Sequence, residues 1–314
     1  MTKTKILAVV GPTASGKSAL ALALAERYGG EIVSCDSMQV YRGMDIGTAK
    51  PSKEEQARVR HHLIDVVEPT DPYSCADFVE AASLAIEDIT SRGALPIVCG
   101  GTGLYLDALL RSPTLHEGAP SEELRQELFL RLEREGIDAI YAELRRVDPE
   151  SADAIHPNNQ KRVIRALEIY YATGIPKSEL DRRSREVEPR YDATVLGLRY
   201  PTRSILWERI ETRVDRMMEE GLLEETEELW KRGIFEKNHT AAQAIGYKEL
   251  LCVLRGEAPL SEGVEMLKTG TRRYAKRQMT WFGSKPYVRW LCAENEGRLK
   301  SFEEIVNNAS EAFI

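Results

Sequence analysis

The segment GPTASGKS, residues 11–18, constrains the fold of this chain more than any other stretch. It follows the apolar run 6–10 and precedes an alanine- and leucine-rich stretch with helical periodicity. The glycines of Gly-x-x-x-x-Gly-Lys-Ser let backbone N–H groups curve around phosphate oxygens, and the helix N-terminus adds positive potential. A glycine turn before an ordinary helix explains neither the Lys-Ser pair nor the spacing. We therefore predict a P-loop at the end of a buried strand.

Each residue type in this loop has a predicted task. Lys17 is expected to reach a terminal phosphate, and the Ser18 hydroxyl is a ligand for Mg²⁺, the one cofactor that the sequence predicts. The predicted phosphate-binding residues are Gly11, Pro12, Thr13, Ala14, Ser15, Gly16, Lys17 and Ser18.

The pattern along the chain predicts an α/β fold, a P-loop NTPase-like parallel sheet flanked by helices, with an inserted all-helical domain. Helices are predicted over 17–28 and 74–91, with another starting near 102. Residues 113–190 lack strand signals and form the predicted insertion, whereas 1–112 and 191–314 form the core. The predicted strands are 5–10, 31–35, 63–67, 95–99, 193–198 and 287–291.

Composition narrows the class of protein. The formal net charge is −7, the five cysteines show no CxxC spacing, and no window reaches a membrane-spanning length. We expect a cytoplasmic protein without a membrane contact or a zinc site, and a monomer because no interface signal is visible. Net charge is a global sum, so a polyanion partner depends on local basic patches.

The sequence places one carboxylate near the predicted phosphate site, but it lacks the carboxylate that a nucleotide hydrolase uses there. A nucleotide hydrolase needs an acid at the end of a second strand to hold Mg²⁺ and water, but the strand 95–99 ends in Gly-Gly-Thr-Gly, and Asp65 is only a weaker substitute. Asp36 ends the strand 31–35, at the sheet edge where the P-loop lies. The alternative is that Asp36 caps a turn.

Two stretches of basic residues are candidates for binding RNA. Residues 272–285 have no acid and interleave Tyr274, Trp281 and Phe282 with basic side chains, a combination typical of single-stranded RNA binding. A solvated helix face with a buried aromatic stripe is the rival interpretation. The second cluster, in the insertion, consists of Lys161, Arg162 and Arg165. The candidate contacts in the first stretch are Arg272, Arg273, Lys276 and Arg277.

Six segments together resemble the tRNA dimethylallyltransferases, also called tRNA isopentenyltransferases, in the order of that family. DSMQVY and RRYAKRQMTW are the specific ones, since many kinases have a P-loop. The segments are GPTASGKS (11–18), DSMQVYRGMDIGTAKP (36–51), GGTGLYLDALL (100–110), HPNNQKRVIRALE (156–168), AIGYKE (244–249) and RRYAKRQMTW (272–281).

The resemblance implies transfer of a dimethylallyl group from dimethylallyl diphosphate to N6 of the adenine 3′ of the anticodon, releasing diphosphate. It implies that Asp36 is the general base, that Thr13 lies near the bridging oxygen, and that Arg213, favoured over Arg209, contacts the diphosphate. For Arg209 and Arg213, helix-surface ion pairs remain the alternative.

The resemblance also implies contacts with the tRNA anticodon stem-loop, with the insertion gripping the stem. Gln39 is expected to hydrogen-bond a base edge, whereas Met38 could equally belong to the core. The implied tRNA contacts are Asp36, Ser37, Met38, Gln39, Thr102, Arg125, Gln160, Lys161, Arg162, Val163 and Ile164.

Three other functions stay open on the sequence. An adenylate dimethylallyltransferase modifies a free nucleotide and leaves the basic insertion unexplained. A P-loop kinase for nucleotides or small molecules would require ATP. An RNA-binding module with a purely structural P-loop would not need the intact Gly-Lys-Ser, and Asp36→Ala would not affect it.

Overall fold

The computed structural model describes residues 3–111, 122–295 and 298–313. The chain divides into two compact units, residues 1–109 with 191–314, and residues 110–190. No helix in these described ranges is both long and apolar enough to cross a membrane.

The larger unit is built on a parallel sheet with the strand order β3-β2-β4-β1-β5-β6. β1 lies between β4 and β5, and its residues from Ile6 to Val10 are buried. Such strands read as continuous apolar runs because helices cover both faces of a parallel sheet. The strands are β1 Lys5–Val10, β2 Gly30–Ser34, β3 His61–His62, β4 Leu95–Gly100, β5 Asp192–Arg199, β6 Val288–Cys292, β7 Glu294–Asn295 and β8 Arg298–Leu299.

Helices pack on this sheet and extend beyond it. Helix α1 begins at Lys17, directly after the P-loop, and packs its buried face on β4, β2 and β1. The helices are α1 Lys17–Tyr28, α2 Lys53–Arg58, α3 Cys75–Ser91, α4 Gly103–Arg111, α5 Glu122–Val147, α6 Pro149–Ala154, α7 Gln160–Thr173, α8 Lys177–Glu186, α9 Arg203–Glu219, α10 Leu222–Lys231, α11 Ile234–Lys237, α12 His239–Ala242, α13 Tyr247–Leu254, α14 Leu260–Gly283 and α15 Phe302–Phe313.

The predicted strand 63–67 is wrong. The strand ends earlier, at His62, and Val67 forms only an isolated bridge with Tyr41. Leu63 and Asp65 have φ of 62° and 55°, which no extended strand accommodates. The Asp65 carboxylate instead forms an ion pair with the Lys50 ammonium at 2.5 Å. Asp65 therefore does not stand at a strand end, where it could replace the acid of a nucleotide hydrolase.

The smaller unit has its own core. Leucine, isoleucine, valine and alanine side chains of α5, α6 and α7 are buried against one another there. α5 is interrupted at Gly136, whose φ of 79° breaks the helical run, as expected for a helix punctuated by glycine. No strand occurs among residues 122–190, the part of this unit that the structure describes in full.

Candidate active site

The P-loop joins β1 to α1 and is held from outside by side chains of other elements. The Tyr200 hydroxyl donates to the Ser15 carbonyl at 3.0 Å, and Arg209 Nε donates to the Ala14 carbonyl at 2.9 Å. The N–H groups of the first turn of α1 have no intrahelical acceptor, so they are available to an anion. The loop therefore has the backbone geometry of a phosphate cradle.

Two cations and one carboxylate lie together beside this cradle. Loss of solvent lowers the pKa of the Lys17 ammonium, and the Arg213 guanidinium nearby lowers it further. Burial also lowers the pKa of Arg213, whereas the neighbouring Asp36 carboxylate acts in the opposite direction. Two half-buried positive charges close to one another are favourably placed for a multiply charged anion.

The structure separates the two arginines between which the sequence left a choice. Arg209 is occupied with the P-loop backbone, and its guanidinium lies 5.3 Å from the centre of the Tyr200 ring. Arg213, one helical turn later, is the arginine placed with Lys17 and Asp36. Arg209 thus supports the loop, and the contact of Arg213 with the diphosphate stays a prediction.

A cleft of about 870 Å³ opens beside the P-loop. Lys17 and the exposed Ser18 line it on one side, and Arg213 of α9 lines it on another. Its third wall is the segment 45–52, which we name the wall loop and which includes Asp45 and Lys50, together with the first turn of α2. Lys50 is almost fully buried there and donates to the Tyr41 carbonyl as well as to Asp45 and Asp65.

Asp36 lies just beyond the end of β2, in a short turn that is hydrogen-bonded to the loop after β4. Its Oδ1 accepts the Met38 N–H at 2.9 Å, which is the turn cap considered from the sequence. The second carboxylate oxygen takes no part in that bond. The Thr102 hydroxyl accepts the Ser37 N–H at 3.1 Å, so Thr102 and Asp36 occupy adjacent positions.

Tyr274 of α14 forms part of the same surroundings. Burial raises the pKa of its phenol, the Asp36 carboxylate raises it further, and a hydrogen bond with Thr102 lowers it. The phenol therefore stays protonated and faces the Asp36–Thr102 pair. Tyr274 was predicted from the sequence only as one of the aromatic side chains among basic residues.

A family model described as IPP transferase matches residues 39–285. The chain belongs to the IPP transferase family. A tRNA dimethylallyltransferase of Caldanaerobacter subterraneus is 45% identical, covering 98% of this chain and 96% of that protein, and one of Shouchella clausii is 47% identical with 97% of each covered.

Solved structures of the family agree. The full-length tRNA isopentenylpyrophosphate transferase of Bacillus halodurans is 43% identical and superposes with a TM-score of 0.72, covering 99% of this chain and 97% of that one. A eukaryotic dimethylallyltransferase captured acting on tRNA is 34% identical with a TM-score of 0.79, covering 93% of this chain and 74% of that chain. The predicted P-loop fold with a parallel sheet is confirmed.

Met38 and Gln39, two residues that the family resemblance assigns to tRNA, have partners within the chain. The Met38 side chain packs against the core formed by α9 to α14. The Oε1 atom of Gln39 accepts a hydrogen bond from the Ser34 hydroxyl at 2.8 Å, and its Nε2 atom donates to the carbonyls of Thr48 and Ala49. These bonds fix the wall loop, and the role of Gln39 at a base edge stays a prediction.

The basic side chains of α14 divide into paired and unpaired ones. Arg272 forms an ion pair with Glu211 of α9 at 2.7 Å. Arg277 lies 5.5 Å from the centre of the Tyr274 ring. Arg273 and Lys276 are exposed and have no acidic partner among the described residues. Those two are the α14 cations most available to a polyanion.

In the smaller unit the predicted contacts differ sharply in exposure. The Val163 and Ile164 side chains are buried in its core, and the contact of this stretch with tRNA stays a prediction. Arg125 Nε donates to the buried Glu168 carboxylate at 2.8 Å, so part of its charge is neutralised. Gln160, Lys161 and Arg162 are exposed on the first turn of α7, where helix N–H groups add positive potential.

Two polar residues that sequence reasoning missed hold the site together. Gln278 accepts the Thr13 N–H at 2.8 Å, and Glu225 accepts N–H groups of the wall loop. Gln278 lies within the segment RRYAKRQMTW, whose basic and aromatic side chains and family resemblance were interpreted without assigning a role to the glutamine. Glu225 lies in a run of acidic residues on α10 and had no signal of its own.

Proposed function

We propose that this chain transfers the dimethylallyl group of dimethylallyl diphosphate to N6 of the adenosine immediately 3′ of the anticodon in tRNA, releasing diphosphate. The observation that supports this most directly is the grouping of Lys17 and Arg213 with the Asp36 carboxylate at one edge of the sheet. Two cations suit a diphosphate leaving group, and a carboxylate beside them suits a nucleophile that must lose a proton.

The donor half of the reaction uses the P-loop. Negative charge grows on the diphosphate as the allylic C–O bond breaks, and Lys17, Arg213 and the N–H groups of the loop stabilise that charge in the transition state. Thr13, on the same loop, is proposed to meet the bridging oxygen. Removal of any one of these groups is expected to slow bond breaking.

Mg²⁺ is proposed as the cofactor, with Ser18 as its protein ligand. The Ser18 hydroxyl is exposed on the cleft beside Lys17. Among the described residues no three His, Cys, Asp or Glu side chains are grouped around one point. A single hydroxyl with phosphate oxygens and waters is a set that Mg²⁺ accepts. Bound there, the ion would supply further charge for the leaving diphosphate.

The acceptor half uses Asp36. The exocyclic amine of adenine is a weak nucleophile because its lone pair is delocalised into the ring, and a carboxylate that takes its proton typically contributes about 10²- to 10⁴-fold in rate. The target base must first leave its stack. Tyr274 and Thr102, next to Asp36, offer an aromatic surface and a hydroxyl to an extruded base.

RNA binding is proposed for both units separately. In the larger unit the exposed Arg273 and Lys276 of α14 supply positive charge. In the smaller unit Lys161 and Arg162, at the start of α7, supply a second basic surface, which we propose grips the anticodon stem. The predictions of a monomer and of a cytoplasmic location stand unchanged, and sedimentation of the purified protein tests the first.

A donor exchange tests the proposal. Unmodified anticodon stem-loop RNA and Mg²⁺ are incubated with labelled dimethylallyl diphosphate or with γ-labelled ATP. Label on the adenosine 3′ of the anticodon from the first donor alone is expected. Label from ATP alone would assign the P-loop to a kinase, and transfer to free adenylate in preference to RNA would indicate the adenylate enzyme.

A matched pair of variants tests the base. Asp36→Asn is expected to lower the transfer rate by about 10²- to 10⁴-fold and to retain binding of inorganic pyrophosphate and stem-loop RNA. Asp192→Asn, an exposed aspartate at the start of β5, serves as the control and keeps activity. Transfer by Asp36→Asn at the rate of the control would remove Asp36 from the mechanism.

A further inference from the structure

Gln278 of α14 is a buried polar residue that binds two separate loops. Its Oε1 accepts the N–H of Thr13 in the P-loop at 2.8 Å, and its Nε2 donates to the carbonyl of Gly101 at 3.0 Å. The side chain is 5% exposed. Both ends of the amide are thus satisfied away from water, with the orientation fixed by one donor and one acceptor.

The fit between Gln278 and the loop after β4 is close. A Cβ placed on Gly101 would lie 2.1 Å from the Gln278 Nε2 atom. No side chain can occupy that position while Gln278 keeps its place, so Gly101 and Gln278 are matched to each other. On α14, Ala275 and Phe282 are buried on the same face as Gln278, which makes this the one amide in an apolar row.

The two loops have different proposed tasks. The P-loop residue that Gln278 binds is Thr13, which is proposed to meet the bridging oxygen of the donor. The residue after Gly101 is Thr102, whose hydroxyl accepts the N–H of Ser37, directly after the proposed base Asp36. These hydrogen bonds, with the backbone that joins Gly101 to Thr102, therefore connect the donor loop through Gln278 to the turn that positions the proposed base.

We propose that Gln278 is a positioning residue that holds the donor loop and the acceptor loop at the separation that prenyl transfer requires. This inference rests on the proposed function for what the two loops bind. Transfer between two bound substrates depends steeply on their separation, and a misplacement of about 1 Å lowers the rate by about 10²-fold. Gln278 makes no contact with either reacting atom in this proposal.

The first test replaces the amide. Gln278→Met keeps the length of the side chain and removes both hydrogen bonds. We expect the single-turnover rate to fall by about 10- to 100-fold, with smaller losses in affinity for inorganic pyrophosphate and for stem-loop RNA. A Met variant with the wild-type rate overturns the proposal. Equal losses in rate, both affinities and thermal stability also overturn it, because they indicate a role in folding alone.

The second test uses pH. Gln278→Glu can accept the Thr13 N–H in either ionisation state, but it can donate to Gly101 only when protonated. Its rate relative to wild type should therefore rise as pH falls, and normalising to wild type cancels the ionisations that the two proteins share. A ratio that does not change with pH contradicts the bridging role.

A double-mutant cycle tests the link between the loops. Gly101→Ala should displace Gln278 and lower both the transfer rate and the pyrophosphate affinity. In a Gln278→Ala background the space is open, so Gly101→Ala should have no further effect. Additive effects of the two changes overturn the proposal. The cycle also uses pyrophosphate affinity, so it tests the link between the loops even if the wild-type protein transfers no prenyl group. Absence of transfer by the wild-type protein would instead contradict the proposed function.

Discussion

Glu225 of α10 is predicted to hold the wall loop in the shape that forms the donor cleft. Its Oε2 accepts the N–H groups of Asp45 and Ile46 at 3.0 and 2.8 Å. Its Oε1 accepts the N–H of Gly47 at 3.1 Å and the hydroxyl of the fully buried Tyr247 at 2.7 Å. One carboxylate thus organises a stretch of the loop and ties it to α13.

The cost of Glu225→Gln follows from this geometry. One of the two oxygens becomes an NH₂ group, so whichever pair of donors faces it loses its acceptor. A hydrogen bond to a charged group contributes about 1.5–3 kcal/mol, and N–H groups at the loop surface recover part of that loss from water. We expect the free energy of unfolding to fall by about 2–4 kcal/mol. The donor KM should rise because the loosened loop lines the cleft with Lys17.

The measurement is urea denaturation, combined with donor kinetics at saturating RNA. Glu224→Gln is the matched control, since Glu224 is the adjacent residue, is exposed and has no partner among the described residues. Its free energy of unfolding should change by less than about 0.5 kcal/mol. If Glu225→Gln loses no more stability than Glu224→Gln and keeps the same donor KM, the four hydrogen bonds do not hold the loop as argued.

Four further predictions concern the proposed substrates. Lys17→Ala should weaken inorganic pyrophosphate binding and raise the donor KM, and near-normal turnover at low donor concentration would refute its role. Because burial lowers the pKa of Lys17, wild-type pyrophosphate affinity should fall as pH rises through that lowered pKa, before its ordinary value of 10.5 is reached, and calorimetry with Lys17→Arg as the non-titrating control tests this. Thr102→Ala removes the acceptor of the Ser37 N–H and should raise the RNA KM more than the donor KM in steady-state kinetics; equal effects would count against it. Lys161→Ala and Arg162→Ala should each weaken stem-loop binding and reduce the slope of log affinity against log salt by about 1, measured by fluorescence anisotropy, and an unchanged slope would exclude a phosphate contact.

The sheet was predictable because its strands are local, buried and apolar. β1 lies at its predicted position, and β5 extends one residue beyond its predicted ends on each side. The strand predicted over 63–67 failed for a reason that sequence patterns do not contain. The ion pair between Asp65 and Lys50, fifteen residues away along the chain, holds the segment in a turn with positive φ.

The same contrast applies to the site. The P-loop was predictable because its glycines, lysine and serine are contiguous and act through the backbone. Gln278 was not, because its partner Thr13 is 265 positions away and no spacing rule connects them. Glu225 is likewise defined only by the fold that brings α10 to the wall loop. Residues that position other residues have ordinary local sequence, so only tertiary structure identifies them.

The missing acid after β4 now has a structural explanation. A Cβ on Gly100 would lie 2.0 Å from the carbonyl oxygen of Cys35, and one on Gly101 would meet the Gln278 amide. The positions where a hydrolase would place a water-activating carboxylate are thus filled by the backbone of the Asp36 turn and by the bridge to α14. The carboxylate of this site follows β2 instead, where it lies beside the phenol of Tyr274. The close packing that excludes the acid is therefore the same packing that joins the donor loop to the proposed base.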